Sequence, residues 1–168
     1  MYCNGVCRYI VIYLDRGDLQ KYITEMKKQQ KKIPEKNIWR MMADILVALN
    51  NLHLKGILHR DIKSANIFIS TNSYVQQNEG EIYKLGDLNV SKVNKGSLAY
   101  TQTGTPYYAS PEVWRDEPYD HKSDIWSFGC IVYEMASLMP PFQGRDMEDL
   151  FQNVQNLSFK PIPDEYSY

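Results

Sequence analysis

The chain has 168 residues, of which 43% are hydrophobic and 23% charged, with a formal net charge of −1. That is enough for one domain with a proper core, and the near-neutral balance gives no case for binding nucleic acid or a membrane through bulk electrostatics. No apolar run reaches the roughly 18 residues of a transmembrane helix and no signal-peptide pattern opens the chain, so a cytoplasmic or nuclear location is expected.

Cys3, Cys7 and Cys130 lack zinc-ligand spacing and form an odd set, so they read as plain thiols of a reducing compartment. Tyr9-Ile10-Val11-Ile12-Tyr13-Leu14 is β-branched and aromatic and stops at Asp15-Arg16-Gly17, which predicts a strand. Asp18 can cap a helix running to about Gln30. The cations from Lys27 to Lys32 read as its solvated end. Pro34 suits a first helical turn. From there Ile38, Met41, Met42, Ile45, Leu46, Leu49 and Leu52 recur at helical spacing, with Gly56 as terminator. His53 on this helix reads as packed or solvated rather than catalytic. Ile67-Phe68-Ile69 and Glu81 to Leu85 predict two short strands, joined by a polar surface excursion from Ser70 to Gly80. Residues 90–103 are small and polar, as in a mobile loop. Ser123 to Met135 is apolar on nearly every face and predicts a buried helix with Trp126 and Phe128 in the core, ended by Pro140-Pro141-Phe142. A short helix follows around Met147 to Asn156.

The chemistry gathers in His59-Arg60-Asp61-Ile62-Lys63-Ser64-Ala65-Asn66. On a loop this spacing brings an acid, a lysine and an amide to one pocket: Asp61 can accept a proton, Lys63 can neutralise an anion and Asn66 can offer an oxygen to a metal. Phosphoryl transfer needs those parts, because its catalysis is mostly positioning and charge neutralisation. Gly86-Asp87-Leu88-Asn89 adds a second acid. Gly104-Thr105-Pro106-Tyr107-Tyr108-Ala109-Ser110-Pro111-Glu112 closes the polar loop that follows.

These motifs resemble the catalytic loop (H-R-D-L-x-x-x-N), the D-F-G triplet and the A-P-E motif of eukaryotic protein kinases. Lys63 and Thr105 follow the serine/threonine pattern, and the texts around Asp87 and Tyr107-Tyr108 look most like the NIMA-related group. The resemblance implies an α+β, protein-kinase-like fold: mainly the helical large lobe plus the hinge strand, truncated at both ends. Residues 1–168 would form a partial kinase domain, from the hinge to the early part of the second half of the large lobe, without the small lobe and its glycine-rich loop.

The implied activity is ATP-dependent transfer of a phosphoryl group to serine or threonine hydroxyls of a protein substrate, with ATP and Mg²⁺ as cofactors. Asp61 would orient the hydroxyl and take its proton, Lys63 would stabilise the transferring group, and Asn66 and Asp87 would hold magnesium. Ile12 would lie near the gatekeeper position, with Tyr13 to Asp15 facing adenine and Phe68 forming part of its floor. His59, Leu88 and Asp124 would be structural: Leu88 as an apolar plug in place of the usual Phe, Asp124 bonding the catalytic-loop backbone. Asn89 in place of Gly still tolerates a left-handed turn. Phosphate on Thr101 would pair with Arg60 and Lys92 and order the loop. Glu112 would lack the arginine that the family pairs with it. The alternative is a catalytically incompetent kinase fragment acting as a binding or decoy module. No nucleic-acid or membrane partner is expected, and the sequence is silent on oligomeric state.

Overall fold

The computed structural model describes residues 16–71, 80–88 and 106–166. Ile12, the 9–14 strand, Asn89, Lys92, Thr101 and Thr105 lie outside them, as does most of the 70–80 excursion. Helix α1 (Leu19–Lys28) starts where Asp18 Oδ1 accepts the Lys21 amide at 2.8 Å, a cap worth about 1 kcal/mol. Helix α2 covers Glu35–His53, with Pro34 just outside as its N-cap. Its buried stripe is Ile38, Met41, Ile45 and Leu49. Leu46 is exposed rather than in the core, because it lies about 100° around the helix from Ile45. Gly56 (φ 69°) closes the turn after α2, where the Ile57 amide donates to the Leu52 carbonyl.

Strands β1 (Ile67–Thr71) and β2 (Glu81–Leu85) pair antiparallel, with Ile67 opposite Leu85 and Ile69 opposite Tyr83. Alternation turns Ile67, Ile69 and Tyr83 inward. Helix α2 covers β2, and Asp44 Oδ2 on it accepts the Tyr83 amide at 3.0 Å. On the other edge, the Ile69 amide donates to the Gly17 carbonyl at 2.9 Å, so the segment leading into α1 runs beside β1.

A single turn, α3 (Pro111–Trp114), precedes α4 (His121–Ser137). Asp120 and Ser123 form a reciprocal capping box at the start of α4. Nine of its residues are buried, so it runs through the middle of the fold, as its sequence predicts. Phe128 is in the core; Trp126 is half-buried and stacks on Phe142 at 5.5 Å. The helix stops at Ser137, ahead of the two prolines, with Leu138 in a left-handed conformation at φ 57°. Helix α5 (Met147–Gln155) is capped by Asp146. The main core joins α1, α2, the hairpin and α4, while a smaller cluster holds Cys130, Phe142, Leu150 and Val154. Among the described residues, no helix is long and apolar enough to cross a membrane.

Candidate active site

The loop of residues 59–66 runs between α2 and β1 and is fixed from below by Asp124 of α4. That carboxylate is fully buried and accepts the His59 and Arg60 amides, each at 3.0 Å, together with His53 Nε2 at 2.7 Å and the Tyr119 hydroxyl. Burial raises its pKa, but donation from Tyr119, His53 and the two amides outweighs this and holds it below the usual carboxylate range. Burial, reinforced by Asp124, pushes the Tyr119 hydroxyl up. Arg60 has the left-handed φ of 66°, a conformation that costs a non-glycine residue about 1 kcal/mol or more. The bonds from the His59 and Arg60 amides to Asp124 hold the chain as it enters this turn. His53 is thus packed, as its position suggested, and its partner is the anchor of the loop.

His59 is buried and ties the loop to the second motif. The Asp61 amide approaches Nδ1 at 3.4 Å, which makes Nδ1 the acceptor and leaves the proton on Nε2. Nε2 then donates to the Gly86 carbonyl at 3.0 Å, and the Gly86 amide donates to the Asn66 carbonyl at 2.9 Å. Gly86 has no room for a side chain: a Cβ would sit 2.6 Å from the Phe68 ring. These contacts bind Gly86 to the loop, and Asp87, exposed and at φ 58°, follows it directly.

Within the loop, Lys63 Nζ meets both Asp61 oxygens, at 3.1 and 3.0 Å. Asn66 Nδ2 donates to the Asp61 carbonyl at 2.8 Å and to Asp61 Oδ2 at 3.1 Å. Both neighbours are acceptors, so the amide orientation is fixed by the network and its oxygen is the atom left to offer a cation. A half-exposed ion pair such as Asp61–Lys63 adds little stability, under about 1 kcal/mol; its effect is to aim both groups. Asp61 and Lys63 both stay partly open to solvent.

The oxygen-only donors of Asn66 and Asp87 suit a hard divalent ion. Among the described residues, no group of three or more His, Cys, Asp or Glu side chains could hold a metal by itself. Magnesium is ordinarily held by one or two carboxylates together with phosphate oxygens and water, so this sparse donor set fits it.

Leu88 is 47% exposed and joins neither core cluster of the described residues, and the Phe68 ring fills the space against Gly86. Glu112, in the first turn of α3, accepts the Ser123 hydroxyl of α4. Burial raises its pKa, but the bond from Ser123 and further donors keep it below the ordinary value. The sequence reading missed three residues that the loop depends on: Ser64, Tyr108 and Tyr119. Tyr108 stood in a quoted motif, but nothing in its spacing says where its hydroxyl goes.

A carboxylate, a cation and an amide thus meet on one loop, and the segment that carries a second acid is hydrogen-bonded to it. Residues 5–165 match the protein kinase domain family, and the chain belongs to it. Its relatives include mouse Serine/threonine-protein kinase Nek4, 40% identical over 98% of this chain and 20% of the relative. Probable serine/threonine-protein kinase nek2 of Dictyostelium discoideum is 38% identical over 95% of the chain and 37% of the relative. Human Serine/threonine-protein kinase Nek2 is 37% identical over 95% and 36%. The chain therefore spans about a fifth to two fifths of the length of these relatives.

Proposed function

We propose that this chain is the catalytic-loop half of an active serine/threonine protein kinase that transfers the ATP γ-phosphoryl group to protein hydroxyls. The observation that carries this reading is the Asp61–Lys63–Asn66 cluster, held at 2.8–3.1 Å on a loop anchored by a buried carboxylate. The names of the relatives, all serine/threonine-protein kinases, support it.

A substrate hydroxyl held at Asp61 would give its proton to that carboxylate as its oxygen bonds the ATP γ-phosphorus and the bond from that phosphorus to the β–γ bridging oxygen breaks, so that ADP leaves. Lys63 Nζ carries the positive charge that offsets the charge building on the transferring group. Asn66 and Asp87 would hold magnesium, which would supply charge neutralisation at the phosphates. By resemblance to the family, Phe68 would form part of the floor under adenine and Ile12 would correspond to the gatekeeper position. The test is transfer of labelled γ-phosphate by the full-length protein to mixed protein substrates, with analysis of the labelled amino acids. Label on serine or threonine supports the reading; no transfer by folded protein favours the binding or decoy alternative.

We also propose that phosphate on Thr101 pairs with Arg60 and Lys92 and switches the enzyme on. A phosphate brings about −1.5 to −2 charges, enough to draw both cations. Phosphopeptide mapping of active protein should find Thr101 modified, and active protein with Thr101 unmodified would sink the idea.

A further inference from the structure

Tyr108 stands where the segment 106–110 meets both the catalytic loop and the central helix. Its hydroxyl lies 2.7 Å from Glu134 Oε2 and 2.9 Å from Ser64 Oγ. Burial is the main reason the Tyr108 hydroxyl is pushed up, with the Glu134 charge adding to it, so the phenol keeps its proton and donates it to Glu134. The same oxygen then accepts from Ser64, which gives a directed chain, Ser64 to Tyr108 to Glu134. Ser64 is fully buried and Glu134 is 8% exposed, so water is a poor substitute for any member. Burial lifts the Glu134 carboxyl above its ordinary range, although donation from Tyr108 pulls it back.

The residue is clamped at its other end too. Ser127 Oγ, on α4, donates to the Tyr108 carbonyl at 2.8 Å. Ser127 and Glu134 lie about two helical turns apart on one face of α4, so Tyr108 is laid along that helix and gripped at both ends. Ser64, the third contact, opens the 3₁₀ turn Ser64–Asn66 and directly follows Lys63.

We propose that Tyr108 is a positioning residue: through Ser64 it locks the Lys63–Asn66 stretch of the catalytic loop to the segment 106–110, so that loop geometry depends on how that segment is seated. The inference rests on the kinase reading for its effect on turnover, but the latch itself is a statement about the loop. Loss of the phenol oxygen leaves the buried Ser64 hydroxyl and the Glu134 carboxyl each short of a partner, and Lys63 and Asn66 lose their stop.

The test compares full-length wild type with Y108F, S64A and the double variant, reading kcat, the KM for ATP, Tm and amide exchange of residues 63–66. Turnover should fall about ten- to a hundredfold in Y108F, the size expected when a displaced support misaligns reacting groups. The KM for ATP should stay within about twofold, because the residues under adenine are untouched. S64A should reproduce the loss, the double variant should be no worse than Y108F, and residues 63–66 should exchange faster in each. Unchanged turnover in the single variants, losses that multiply in the double, or unaltered exchange would each overturn the latch. A lower Tm with turnover and exchange intact would mark a merely structural role and overturn it as well. Should Y108F fail to fold, S64A, which removes a single oxygen, decides. If wild type itself transfers no phosphate, the kinase reading falls and amide exchange alone decides the latch.

Discussion

Asp124 carries more of this site than any residue that would touch a substrate. Four donors converge on one carboxylate with no access to water, and two of them are consecutive amides of the catalytic loop. Asp124→Asn keeps the shape but turns one acceptor into a donor that faces donors. The expected cost is about 3 kcal/mol or more, with loss of loop order. A carboxyl whose folded pKa lies below its unfolded value stabilises the fold above the unfolded pKa, about 3.9, and stops doing so as pH falls through the folded value. The gap in Tm between wild type and Asp124→Asn should therefore be flat from pH 8 to about pH 5 and close below about pH 4. A gap that persists undiminished at pH 3 would contradict this reading of the anchor.

At the scale of elements, the hairpin and the second acidic motif meet at one atom pair. The Phe68 ring occupies the space where Gly86 would carry a side chain, and the hydrogen bonds of Gly86 to His59 and Asn66 leave the backbone no freedom to retreat. Gly86→Ala should cost about 1–3 kcal/mol by overpacking and should weaken divalent-ion binding by moving Asp87 away from Asn66. Chemical denaturation and a magnesium titration of the nucleotide complex check the two halves separately. An Ala variant with wild-type stability would mean that the ring swings aside at no cost.

Across the whole molecule, the elements were legible where one pattern decided them. The 3.6-residue period marked α2, the Asp18 cap marked α1, the continuous apolar run marked α4, and the apolar triplet Ile67-Phe68-Ile69 marked β1. Boundaries failed where capping, rather than periodicity, decides: α4 ends at a left-handed Leu138 before its prolines, and Leu46 falls off a stripe narrower than the run of apolar residues suggests. Asp61, Lys63 and Asn66 were legible as a group because they lie within a few residues of one another. Of their supports, Asp124 was expected from the family resemblance and does accept the loop amides. His53, Tyr119 and the Ser64–Tyr108–Glu134 chain were not, because they join residues far apart in sequence and only folding brings their polar atoms to bonding distance.

The central claim is that Asp61 is the group that takes the proton in phosphoryl transfer. The measurement that tests it most directly is the turnover of full-length Asp61→Asn against wild type at saturating ATP, with ATP affinity measured alongside. Asparagine keeps the size and can still meet Asn66, but it cannot accept the proton. The account predicts a loss of about 10²–10⁴ in kcat with nucleotide binding unchanged. Turnover equal to wild type would contradict it and remove Asp61 from the chemistry.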